Sequence, residues 1–202
     1  MNKTELYLPL KSGSDIRGVA SEGVVGENIQ LTDEAVFDLT IGFCRFLNKN
    51  GVEKGARIAV GHDSRISAER IKRQVISALS DFGYNVYDCS YASTPAMFMT
   101  TVTRNCDGAI QITASHHPFD RNGLKFFTRD GGLSGDELKE IILFGSYAKG
   151  TNNDESEIDI AIITDDFEND IIDEELNLMR LRRKIDTRIE PHLIRIQDYI
   201  NA

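Results

Sequence analysis

The stretch GAIQITASHHPFDRNGLKF, residues 108–126, decides the fold. GAIQITAS (108–115) reads as a buried strand that runs into a polar loop. GLKFFTRDGG (123–132) reads as a second strand ending in a Gly-Gly turn. A polar loop at the carboxyl end of a buried strand is where open α/β sheets place their ligands. TASHHP (113–118) therefore marks one end of the sheet as the end to watch.

The pattern extends outward on the N-terminal side. RIAVGHD (57–63) is another buried strand that ends in a polar turn, and YNVYDC (84–89) is a third. Thr32 can cap a helix that runs to about Asn48, with Gly51 beyond it. Its apolar positions Ala35, Val36, Leu39, Phe43, Phe46 and Leu47 fall on one face. Ile71, Val75, Ala78 and Leu79 repeat that pattern over 67–82, Gly83 closes the helix, and a short helix is expected after Pro95. Residues 6–20 read as a short strand followed by the loop LKSGSDIRGVA. Strand and helix alternate, so the fold class is α/β, a mostly parallel sheet covered by helices.

The texture changes at about residue 136. GDELKEIILFGSYAKG starts as a helix and ends in a Gly-rich turn, and SEIDIAIIT (156–164) is a strand. The acidic linker DDFEND follows, then a helix over 173–184, and DTRIEPHLI (186–194) alternates like a strand. Charge changes with texture. Residues 151–202 hold 14 Asp+Glu against 6 Lys+Arg, while residues 1–150 hold 18 against 17. The reading is two units: 1–138, and a small α+β module over 139–202.

Composition narrows the function classes. Of the 202 residues 41% are hydrophobic and 27% charged, the balance of a globular chain with a core. No apolar run approaches the ~18–20 residues of a membrane span, and MNKTELYLPL carries no secretory signal. The net charge of −9 disfavours nonspecific nucleic-acid binding. Three widely spaced cysteines, Cys44, Cys89 and Cys106, suit unpaired thiols in a reducing compartment, and the expected location is cytoplasmic.

TASHHP resembles the T-A-S-H-N-P active-site loop of the α-D-phosphohexomutases, the phosphoglucomutases and phosphomannomutases. SDIRG (14–18), VGHDSR (60–65), NGLKF (122–126) and the GG turn before the next helix agree with that family in order. The resemblance covers about two-thirds of the chain and implies the family's first domain. It implies that Ser115 carries a phosphoryl group, gives it to a sugar phosphate, takes one back, and touches Mg2+ through its phosphate. His116 would assist proton transfer or orient the loop, and Arg17 and Lys125 would offset phosphate charge. The loop departs from the family at His117, where Asn is usual. His62 and Asp63 are read as structural turn residues. The family's Asp-Gly-Asp-Gly-Asp-Arg metal loop does not occur in this sequence, so turnover by this chain alone is not expected.

LFGSYAKGTNNDESEIDI (143–160) resembles the signature of minimal nucleotidyltransferases of the DNA polymerase β superfamily. Backbone amides at Gly145 and Ser146 could hold nucleotide phosphates in a turn. Glu157 and Asp159, two apart on a strand, share a side and could hold Mg2+. The family adds a later carboxylate, here Glu190 with Asp186 as runner-up. Glu157 departs from the usual Asp, and its extra methylene strains a magnesium site.

Three functions remain open: a phosphohexomutase-type isomerase fragment acting on a sugar phosphate, a nucleotidyltransferase using a nucleoside triphosphate, and a non-catalytic scaffold. Minimal nucleotidyltransferases often pair with a HEPN-type protein, and the resemblance implies such a partner for the second function.

Overall fold

The computed structural model describes residues 3–22, 26–147, 158–164, 177–178, 181 and 189–195. The chain forms two compact units, 1–149 and 150–202.

In the first unit a short helix α1 (Lys3–Tyr7) and a 3-10 turn (Leu8–Leu10) precede β1 (Lys11–Ser12) and β2 (Asp15–Val19). Then follow α2 (Asp33–Lys49), β3 (Arg57–His62), α3 (Ala68–Phe82), β4 (Asn85–Tyr91) and α4 (Thr94–Thr103). β5 (Gly108–Ile112), β6 (Arg121–Thr128), β7 (Gly131–Gly132) and α5 (Gly135–Ser146) complete it. The described strands make a seven-stranded sheet in the order β1-β2-β6-β5-β3-β4, with β7 beside β6.

The α/β class holds, and the sheet is mixed. β3 runs parallel to β4 and β5, whereas β6 is antiparallel to β5 and to β2. The reason is the length of one connection. Residues 113–120 leave too few residues between β5 and β6 for the dozen or more of a parallel crossover. The chain must turn back at once, so the Ser115 loop caps the sheet end where β5 finishes and β6 begins.

Alternation along buried strands sends successive side chains to opposite faces. Ile58, Val60, Ile110, Ile112, Leu124 and Phe126 join one core with α2, α3 and α5, and Phe43 of α2 meets Phe126 at 4.7 Å between ring centroids. Ala59, Ala109 and Phe127 face the other way into a smaller core with Met97 of α4 and Cys106. The helices end where the sequence marks them. The Thr32 side chain accepts from Ala35 N–H at 3.1 Å, and Gly83 takes the left-handed conformation after α3.

The N-terminal segment differs from expectation. Residues 3–7 are helical, and Asp15–Val19, which takes in most of the SDIRG motif, is a strand in the sheet, not a loop. Pairing with β6 decides it: Ile16↔Leu124 and Arg17↔Gly123 fix the register. The Gly-rich turn expected at Gly145 and Ser146 is also different. Both residues are buried within α5, and Ser146 Oγ bonds Leu143 O at 2.7 Å. The physical cause is a close helix crossing. A Cβ on Gly145 would lie 2.7 Å from Asp38 O of α2, so glycine there serves contact between backbones. Arg45 of α2 then caps α5, donating to Phe144 O at 3.1 Å and Tyr147 O at 3.2 Å.

In the second unit β8 (Ile158–Thr164) pairs in parallel with β9 (Ile189–Arg195). The register sets Asp159 beside Glu190. Glu157, Asp186, the acidic linker and most of the 173–184 helix lie outside the described residues. Among the described residues no helix is long and apolar enough to cross a membrane.

Candidate functional site

Ser115 lies three residues past β5 with φ +55, the left-handed region that a side chain with a Cβ enters at a cost of roughly 1–2 kcal/mol. The residue is exposed. Local bonds hold it there. Its N–H donates to Thr113 Oγ1 at 3.0 Å, and the Thr113 hydroxyl donates to Asp63 Oδ2 at 2.7 Å. Two turns close the loop, His117 N–H to Ala114 O and Arg121 N–H to Pro118 O, each 3.1 Å.

The strand after the loop is fixed with equal care. Asn122 is fully buried, donates to Ser67 Oγ at 2.9 Å, and accepts from Gly123 N–H at 2.9 Å. Gly123 is the narrow point. A Cβ there would strike Ile16 O and stand 2.8 Å from Thr113 O, so three backbones meet at a residue without a side chain.

On the α4 side of the sheet, β2 and β6 bring three charged side chains together. Lys125 Nζ donates to Asp15 Oδ1 at 2.8 Å, and Arg17 donates through an Nη to Asp15 Oδ2 at 2.9 Å. One buried carboxylate thus aligns two cations. Arg17 Nε is buried with no partner, which leaves a donor for an anion. The ordinary titration of His117 is shifted downward by desolvation first, then by Arg17, His116, Arg65 and Arg121. Arg17, Arg65 and Arg121 thus all lie near the loop. The His116 and His117 rings stack at 5.1 Å.

The fold brings Ser115, His116, Arg17 and Lys125 to one end of the first sheet. Gly145 and Ser146 lie instead on α5 against α2, and Asp159 and Glu190 are register partners in the second unit. The VGHDSR motif gives Arg65 no task from sequence alone, and neither Asp15 nor Thr113 stands out there. Arg65 donates to Asp63 Oδ2 at 3.1 Å, Pro118 O at 2.6 Å, Arg121 O at 2.9 Å, Ser115 O at 2.7 Å and His117 O at 2.8 Å. An Arg two residues after a strand-end Asp was the available signal. A cavity of about 330 Å³ near Asp107, Gly131 and Glu137 contains none of this constellation.

The Mg2+ expectation meets a poor donor set. Among the described residues no group of three His, Cys, Asp or Glu side chains is placed to hold a metal ion. A magnesium ion there would have Ser115 and little else from this unit, against a need for about six oxygens.

An α/β domain that presents a left-handed serine on a hairpin loop, beside two cations sharing one carboxylate, offers a place for an anion. The chain belongs to the phosphoglucomutase/phosphomannomutase family, whose alpha/beta/alpha domain I matches residues 10–152. A nucleotidyltransferase domain matches residues 124–201, so both matches include α5. The chain is 36% identical over 143 residues to a phosphoglucosamine mutase of Lactobacillus helveticus, covering 69% of this chain and 30% of that protein. It is 35% identical over 123 residues to the phosphoglucosamine mutase of Helicobacter pylori, covering 60% and 27%. The chain thus spans less than a third of the length of these curated relatives. The fold is shared with a phosphoglucomutase/phosphomannomutase family protein from Burkholderia thailandensis (TM-score 0.55, 17% identity, 96% of this chain and 44% of that one). It is shared also with the parafusin phosphoglucomutase of Paramecium (TM-score 0.53, 22% identity, 68% and 25%).

Proposed function

We propose that the first unit is a phosphoserine-bearing domain of phosphohexomutase type, with Ser115 as the group that accepts and returns a phosphoryl group. The observation that carries this reading is the exposed, left-handed Ser115, held by Thr113 and Arg65 beside a half-buried Arg17 whose buried Nε is unpartnered. In the step, Ser115 Oγ bonds to phosphorus of a sugar bisphosphate and the bond from phosphorus to the sugar oxygen breaks. The hydroxyl proton ends on that oxygen, with His116 as relay or loop support. Phosphoserine and a sugar monophosphate remain. Arg17 and Lys125 offset the charge of the phosphate.

The names of the relatives make glucosamine phosphates the first sugars to try. Phosphorylation of Ser115, not net isomerisation, is the activity this stretch supports by itself. Mg2+ would need carboxylates from outside the described residues. The three free thiols fit a cytoplasmic setting. The test is the intact mass before and after incubation with a sugar bisphosphate. A gain of one phosphoryl group, lost in Ser115→Ala, supports the reading, and no gain in the wild type removes it.

The register of the second unit favours a second reading, a nucleotidyltransferase that uses Asp159 and Glu190, with Glu157 as a further metal ligand and a HEPN-type protein as partner. Incubation with Mg·ATP tests it: a nucleotide-monophosphate adduct that disappears in Asp159→Asn supports it, and a clean wild-type spectrum argues against it.

A further inference from the structure

Arg65 and Arg17 are both arginines of the same site, yet their donors are used in opposite ways. A guanidinium has five N–H donors in a fixed fork. Arg65 makes five bonds: one to Asp63 and four to the carbonyls of Ser115, His117, Pro118 and Arg121. No donor is left for a ligand. Among the described residues Arg17 makes one side-chain bond, to Asp15, and keeps a buried Nε without a partner. The first is occupied with the protein and the second is open to an anion.

We infer that Arg65 is the positioning residue that shapes the Ser115 loop for phosphoryl transfer and does not itself bind phosphate. This rests on the reading of Ser115 as the phosphoryl acceptor. The geometry links the two ends of the strained residue. Ser115 N–H is held by Thr113 Oγ1, and Thr113 is held by Asp63 Oδ2. Ser115 C=O is held by Arg65, which is oriented by that same Asp63 oxygen. Asp63 is anchored in turn, its N–H donating to Ile112 O at 3.1 Å and its Oδ1 accepting from Arg65 N–H at 3.1 Å. A closed circuit of side chains therefore sets the left-handed φ of Ser115 from both sides. Lysine keeps the charge but offers three donors on a single nitrogen, which cannot reach four carbonyls spread over seven residues of chain. Arg65→Lys thus separates the fork from the charge.

The experiment uses the full chain, labelled with 15N, as wild type, R65K and Thr113→Val. Two measurements are made: amide hydrogen exchange, and single-turnover phosphoserine formation from glucose 1,6-bisphosphate. In R65K the Ser115, His117 and Arg121 amides should exchange about tenfold faster or more, with the amides of β5 unchanged. Phosphoserine formation at saturating bisphosphate should slow by about a hundredfold, as a displaced nucleophile does. The concentration for half-saturation should move by no more than about twofold, because Arg65 has no donor to give a phosphate. Thr113→Val should repeat the rate loss without removing any charge. R65K with wild-type loop protection overturns the inference, and so does a loss expressed only in half-saturation. If R65K does not fold, Thr113→Val decides by the same two criteria. If the wild type is never phosphorylated, the functional reading falls, and the exchange measurement alone decides whether Arg65 shapes the loop.

Discussion

Gly42 and Gly145 face each other where α2 crosses α5, so closely that a Cβ on Gly42 would strike Ile141 O and lie 2.8 Å from Gly145 N. The contact is between two backbones. It gives Gly145, a residue of the nucleotide-binding signature read from the sequence, a structural task in the first unit.

Gly145→Ala is therefore expected to destabilise the first unit by about 1–3 kcal/mol, the usual penalty for overpacking a tight contact. Gly42→Ala should cost at least as much, since its Cβ meets backbone on α5 that cannot rotate away. Denaturant melts of both variants beside the wild type check this. An unchanged midpoint for both would mean that the helices separate easily.

Asp38 is fully buried and accepts from Tyr7 Oη and Lys3 Nζ, both at 2.7 Å, while its Oδ1 has no partner. Tyr7→Phe removes one of these bonds and leaves a buried carboxylate poorer. The expected loss is about 1–3 kcal/mol, read from thermal or denaturant unfolding. Double substitution with Asp38→Asn should lose less than the two single changes summed, because they share one interaction.

Tyr7 and Lys3 of this cluster, with Tyr84 elsewhere in the unit, predict an alkaline limit. Burial and then Asp38 raise the Tyr7 phenol above its usual value, and burial raises Tyr84. For Lys3, burial pulls downward, and the bonds to Asp38 and Glu34 outweigh it. Each group keeps its proton to higher pH folded than unfolded. Its stabilising share is whole below the ordinary value near 10 and declines as pH rises above it. Melting temperature should hold up to about pH 10 and fall beyond, and Tyr7→Phe should make the fall shallower.

Arg17→Ala should act mainly on binding. It removes a cation with an open donor, so half-saturation by a sugar bisphosphate should rise about tenfold or more, the value of a charge-assisted bond. The melting temperature should fall modestly, since Arg17 donates to Asp15, a buried carboxylate that would then keep Lys125. Titration of phosphoserine formation against bisphosphate concentration reads the first effect, and a thermal melt reads the second.

The long periodic elements were legible. α2, α3, β3 and β5 carry apolar spacing, a Thr32 cap and a Gly83 stop, and a polar loop at a strand end located Ser115. The short elements were not. Lys3–Tyr7 is a single turn with no period to count, and Asp15–Val19 is a strand because β6 pairs with it. Gly145 read as a turn because glycine weakens an isolated helix, whereas a neighbouring helix that needs room inverts that preference. Arg65 stayed unassigned because sequence shows a side chain's capacity for hydrogen bonds but not the four carbonyls that fill it.

The reach of Arg65 along the chain sets an order in time. Its partners in the Ser115 loop lie 50 or more residues downstream. Closing so long a segment costs entropy before any bond is gained. The carbonyls of the loop must wait until β3 and β5 are side by side, so the Ser115 loop takes its shape only after that pairing. A nascent or half-folded chain carries the serine but not its geometry, which arrives only once these strands have paired.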